Sequence, residues 1–333
     1  MNDEETTQLV NARLWLRRSR QDFAAFRRFV RFTRGNYRRV VPSDPALAVY
    51  LLQQTHEKAG KAMALASGRY TAKEIRWDYG HETLKLLLDV MANMAEQIGG
   101  LGLSPLMGLF GGQEAGASEK LHGVAESSKA WRPEFASLPP SSVETYLDLL
   151  VKIRKEAILG SLRQVWGPHS AVVFQSGQHL SMKEPSDFVE LVDEFWTQSL
   201  GQSAMLEEWK RPLNLFLDEM KARSLISVSE LPAVRVVVHK SSETMLRAWA
   251  VVALVFLASL TWPHEGMARY PREEPLSVDH KGEMGCQDYG KSIGLVAHLG
   301  YAGYLTGMSL SHLDGHLTDL HDFFTTGKLG QDL

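Results

Sequence analysis

Residues 76–81 read RWDYGH, an arginine and a histidine separated by four residues. The two side chains are of types that could do chemistry on a phosphate. Imidazole titrates near neutrality and serves as base or acid, and a guanidinium fork holds the non-bridging phosphate oxygens. Arg76 and His81 are therefore the candidate catalytic pair, and this chemistry calls for no metal or other cofactor. Their spacing is no evidence by itself. With 21 arginines and 12 histidines in 333 residues, about two Arg-to-His pairs with four to six residues between them arise by chance. Two are present, Arg76/His81 and Arg163/His169; the second spans QVWGP, where Pro168 breaks any helix, and is read as coincidence. The first pair also admits a structural reading, in which the histidine bonds a neighbouring loop and Arg76 pairs with Asp78 or Glu74.

A second anion-directed feature lies near the N-terminus. From Arg13 to Arg39 there are ten arginines, no lysine and one acid, Asp22. On a helix from about residue 5 to Arg34, stopped by Gly35 and Asn36, Leu9, Ala12, Leu16, Phe23, Phe26 and Val30 form an apolar stripe. Arg13, Arg17, Arg20, Arg27, Arg31 and Arg34 form another, roughly 100° round the axis. The forked guanidinium suits phosphate and carboxylate, so this face is a candidate anion or nucleic-acid surface. A solvated face and an acidic protein partner are its alternatives.

Other constellations are weaker. In HLDGHLTDLHDFF, His312, His316 and Asp319 would share a helical face, with His321 beyond, and could bind a divalent metal. Gly315 weakens that helix and no HExxH is present, so no metal site is assigned. His264 and Glu265 in HEGMARYP are read as a helix-end network. No P-loop, Rossmann glycine fingerprint or nucleophile elbow occurs.

The elements that must position these residues are helical. Ser43 or Asp44 caps a second helix with Pro45 in its first turn, running to Gly68. Ala48, Leu52, Thr55, Ala59, Ala62 and Ala66 give it a face of small residues, and Glu57 is placed to pair with Lys61. A third helix runs from about Gly80 to Gln97; Asp78 is placed to cap it, which puts His81 in its first turn, in a field that favours anions and the neutral imidazole. Residues 98–112 read as loop, the segment from Gly111 to Pro140 as loop bracketing a possible short helix, and helical patterns then recur to about residue 225. AVRVVVHK is the one β-like run. Ala248 to Trp262 is fifteen residues without a charge, closed by Pro263, short of the roughly 20 needed to cross a bilayer; it reads as a buried core helix. The fold class is all-α. One cysteine, Cys286, and the polar start MNDEETTQLV lead us to expect a cytoplasmic protein without a membrane partner.

The second and third helices, with the RYP after the core helix, resemble the HEPN (higher eukaryotes and prokaryotes nucleotide-binding) family. The matching residues are Gln53, Gln54, Glu57, Lys58 and Lys61 of a QQxxEKxxK helix, then His81 and Leu84, then Arg269, Tyr270 and Pro271. The resemblance implies a HEPN-like four-helix unit, residues 5–98 plus 241–272, that usually forms a homodimer. A large helical insertion, 111–240, and a C-terminal helical extension, 273–333, complete the expected organisation. It further implies RNA or nucleotide as partner. Many members are metal-independent endoribonucleases whose Arg-x4-6-His sites, here Arg76 and His81, line a cleft shared by two protomers; others are inactive and bind nucleotides or proteins. Active members often carry a polar residue straight after the arginine, where this chain has Trp77.

Overall fold

Asp44 is extended and its side chain accepts the Leu47 amide at 3.0 Å, with Pro45 next. The cap satisfies an amide that the first turn leaves orphaned, and proline needs no amide there. Helix α2 (Pro45–Ala66) starts at this signal and ends at Ser67, after which Gly68 turns the chain at φ +67°. In the computed structural model the described residues are 3–30, 42, 44–98, 117–128, 135–166, 218, 221, 228–229, 232, 246, 249–264, 293–313 and 317. They form helices, turns and connecting segments with no strand among them, so the fold is all-α.

The chain divides into two compact units, Met1–Leu150 with Ala250–Asp332, and Val151–Trp249 with Leu333. In the first unit, α1 (Asp3–Phe29) packs against α2. Its apolar stripe is the packing face: Leu9, Ala12, Leu16, Phe26 and Val30 are buried, and Phe23 is half-buried with its ring stacked on Phe26. On α2, Ala48, Leu52, Thr55, Ala59, Ala62 and Ala66 are all fully buried. Small side chains let the backbones approach, and the Ser19 hydroxyl reaches across to donate to the Thr55 carbonyl at 2.8 Å. The helix ends at Phe29 rather than near Arg34.

A connection follows α2 through α3 (Ala72–Glu74) and a π-helical turn (Ile75–Tyr79) to α4 (Thr83–Ile98). Leu84, Leu86, Leu87, Val90 and Met91 bury the face of α4 that closes the core. Helix α5 (Ala117–Ser127) lies on α4, and α6 (Pro140–Trp166) follows. The uncharged run becomes α7 (residues 249–261), buried on nearly every side and ended by a 3-10 turn (Trp262–His264) that contains Pro263. Among the described residues no helix is long and apolar enough to cross a membrane. Helices α8 (Gly294–Ala297) and α9 (Leu299–Leu313) follow in the same unit. Gly294 must be glycine: a Cβ there would stand 2.6 Å from Val143 Cγ2 and 2.9 Å from the Pro139 carbonyl carbon, and closer still to the Leu138 carbonyl oxygen. In the second unit Arg154 is buried with its guanidinium over the Trp249 ring at 5.6 Å.

Polar bonds tie α6, α7 and α9 into the core. Tyr146 Oη meets Ser259 Oγ at 2.7 Å, and Tyr301 donates to Asp148 Oδ1 at 2.7 Å. His56, fully buried on α2, joins three helices: Nδ1 lies 2.9 Å from Thr261 Oγ1 and Nε2 lies 2.9 Å from Thr306 Oγ1. Thr306 gives its own proton to the Ala302 carbonyl at 2.8 Å, so it must accept from Nε2–H. A neutral ring then takes the Thr261 proton at Nδ1, in place of that hydroxyl's longer 3.1 Å bond to Leu257. Burial pushes the His56 pKa down to about 3. The unfolded chain therefore binds a proton that the folded chain excludes, and His56 withdraws stability as pH falls from about 6.5 toward 3. We predict that this window costs up to about 1.4 kcal/mol per pH unit, and that His56→Gln flattens that slope in denaturant titrations at pH 7, 6 and 5. An unchanged slope would remove His56 as its source.

Candidate functional site

Thr71 starts the connection that carries Arg76 and His81. Its hydroxyl accepts the Glu74 amide at 3.2 Å while the Glu74 carboxylate accepts the Thr71 amide at 2.7 Å, a reciprocal cap. These bonds, the Thr71 amide foremost, hold the Glu74 carboxyl below its usual range. They also make Thr71, not Arg76, the partner of Glu74. The next turn is π-helical, closed by the Gly80 amide on the Ile75 carbonyl at 3.0 Å, a geometry frequent at functional positions. Ile75 is buried and anchors the turn, while Arg76, Trp77 and Asp78 face solvent. The Arg76 guanidinium lies over the Trp77 ring, 5.3 Å from its centre.

Gly80 adopts φ +52°, a conformation open to glycine that breaks the helical path. For that reason α4 begins at Thr83, not near Gly80, and Asp78 sits inside the π turn instead of capping α4. His81 consequently precedes the helix by two residues and is not in its first turn. What orients it is a side chain on α2: His81 Nδ1 lies 3.1 Å from Glu57 Oε1.

Glu57 is the hub of the site. Its side chain is only 5 % exposed, yet it accepts bonds from Lys61 Nζ at 2.7 Å and from the amide nitrogens of Gln53 and Gln54 at 3.2 Å each. Burial alone would push the Glu57 carboxyl up; the Lys61 ammonium and the His81 ring outweigh burial and hold it below the usual carboxylate range. An ionised Glu57 accepts from Nδ1–H, so the neutral His81 ring carries its lone pair on Nε2. The imidazole is 48 % exposed, which leaves about half of it in solvent.

A second buried carboxylate holds a second histidine. Asp89 on α4 accepts the Tyr79 hydroxyl at 2.9 Å through Oδ2 and lies 3.0 Å from His122 Nδ1 through Oδ1. The Asp89 side chain is 9 % exposed and that of His122 47 %. Burial, with Tyr70 and Asp89 alongside, pushes the Tyr79 phenol far up, so it stays a hydroxyl donor. Tyr70 packs edge-on against Tyr79 and accepts from Asn93, whose carbonyl accepts from Arg69 at 2.8 Å. Glu57–His81 and Asp89–His122 thus share one design, a buried acid fixing Nδ1 of a half-exposed ring.

Of the arginine stripe, Arg13, Arg17, Arg20 and Arg27 are exposed on α1, as the helical spacing requires; Arg31 and Arg34 lie outside the described residues. A chain of contacts runs from this helix to His81. Arg18 lies over the Trp15 ring at 5.5 Å, Lys61 lies over the same ring at 5.2 Å, and Lys61 bonds Glu57. Lys58 pairs with Asp22, the lone acid of the arginine-rich segment.

The remaining candidates fall elsewhere. His312 is buried on α9 and His264 in the 3-10 turn. His316, Asp319, His321, His169, Glu265, the RYP at 269–271 and the β-like run at 233–240 lie outside the described residues, as does the segment 99–112. Among the described residues no group of three or more His, Cys, Asp or Glu side chains is placed to hold a metal ion. Sequence reasoning missed His56, Asp89, His122, Tyr79 and Arg18. His122 stands 33 residues from its acid, beyond any helical spacing that could pair them.

Removing Glu57 leaves Lys61 and His81 beside an empty polar site, whereas removing His81 takes away one half-exposed donor. Glu57→Ala should therefore cost roughly 3 kcal/mol of stability and His81→Ala roughly 1 kcal/mol or less, measured by urea unfolding; equal losses would contradict the hub. Comparison of this chain with protein-family models, curated proteins and solved structures finds no match.

Proposed function

We propose that this chain is a HEPN-like helical protein that binds RNA and cleaves it as a metal-independent endoribonuclease, with Arg76 and His81 as its catalytic pair. The observation that carries this reading is the bond between buried, ionised Glu57 and His81 Nδ1, which fixes the ring and makes Nε2 its basic nitrogen. In the proposed step Nε2 takes the proton of a ribose 2′-hydroxyl as that oxygen attacks the adjacent phosphorus. The P–O5′ bond breaks, and the leaving oxygen takes a proton from the imidazolium of a second copy's His81. A cyclic phosphate and a 5′-hydroxyl result. Arg76 holds the non-bridging oxygens, and the exposed arginines of α1 supply attraction for the rest of the strand. The dimer follows from the need for one base and one acid, and a reducing, cytoplasmic setting fits the single cysteine.

A second reading, an inactive member that binds a nucleotide or a protein partner, is favoured by the packing of Arg76 on Trp77 in place of a free fork. One experiment separates the two. Labelled RNA is incubated in EDTA with the wild type, His81→Ala and Arg76→Ala. Catalysis predicts cleavage by the wild type and a loss of about 100-fold or more in His81→Ala, with unchanged helical circular dichroism. Equal cleavage by all three, or none by any, ends the nuclease reading, and binding without cleavage selects the second.

A further inference from the structure

Trp77 is 70 % exposed, although an indole ring is the largest apolar side chain a protein can bury. Its position is not loose. The Thr71–Glu74 cap lies just before it, Ile75 anchors the turn in the core, and the Gly80 amide closes the turn behind it. The ring is thus held outward by the fold, with the Arg76 guanidinium over it at 5.3 Å.

A flat aromatic surface backed by a cation is what an unpaired nucleobase stacks on, and every base offers a π-face to it. A paired base has both faces covered by its neighbours in the stack, so the surface suits single strands. We propose that Trp77 and Arg76 together form a stacking platform for one unpaired base of single-stranded RNA, on the same turn that leads to His81. The ring receives the base and the guanidinium meets the adjoining phosphate. Asp78, exposed on the same turn, repels further phosphates there, so the platform takes one nucleotide and not a continuous backbone. The proposal rests on the reading that RNA is met at Arg76 and His81, and it names the form of RNA selected.

The test measures binding in a His81→Ala background, where cleavage cannot deplete the ligand. A labelled, unstructured RNA of about 12 nucleotides and a duplex of the same sequence are titrated by fluorescence anisotropy in EDTA. Adding Trp77→Ala should weaken single-strand binding roughly 5- to 150-fold, Trp77→Phe should retain most of it, and duplex binding should not depend on Trp77. Unchanged single-strand binding in Trp77→Ala overturns the platform, as does an equal loss for single strand and duplex. Sedimentation showing that Trp77→Ala converts a dimer to a monomer also overturns it, by assigning the ring to a contact between copies. If His81→Ala abolishes cleavage while Trp77→Ala leaves binding intact, the platform alone fails; if the wild type binds no RNA, the functional reading fails with it.

Discussion

A carboxylate taken out of water must be matched by donors, because an unpaired buried charge costs several kcal/mol. Glu57 meets that constraint with Lys61, Gln53, Gln54 and His81, and the surrounding architecture follows from it. Lys61 keeps its place over Trp15, which ties α1 to the hub. His81 is drawn from the connection between α2 and α4 toward α2. The sign of the Glu57 shift records the outcome: burial opposes ionisation, and Lys61 and His81 outweigh it.

The same constraint explains why the connection has an unusual geometry. A regular helix from Gly80 onward would carry His81 into the first turn of α4. The π turn and the positive φ of Gly80 delay the helix by three residues and present the ring to Glu57. Asp89, which accepts the Tyr79 hydroxyl, repeats the device and fixes His122. Rigid acids beneath exposed imidazoles are how a fold prepares a base before any ligand arrives, since the orienting bond selects the tautomer.

What the sequence made legible was local. Asp44 and Pro45 announced α2, the apolar stripes announced the packing of α1, and the four-residue spacing of Glu57 and Lys61 announced their pair. The uncharged run ending at Pro263 announced the buried helix. What stayed hidden was tertiary. Glu57 and His81 are 24 residues apart, and His56 meets partners 205 and 250 residues away, so no helical spacing connects them. Asp78 looked like a cap because aspartate before a helix usually is one; the backbone of Gly80 decided otherwise. Trp77 read as a misfit in a motif, and its meaning depends on an exposure that composition does not contain.

The central claim is that buried Glu57 sets the tautomer of His81. Two-bond nitrogen–proton correlation spectra of uniformly labelled protein, above the pH at which the ring is protonated, report it directly. The account predicts a His81 signal with the proton on Nδ1, which shifts toward the Nε2–H form in Glu57→Ala while His122 keeps its own pattern. A wild-type His81 protonated on Nε2, or a pattern indifferent to Glu57→Ala, would contradict it.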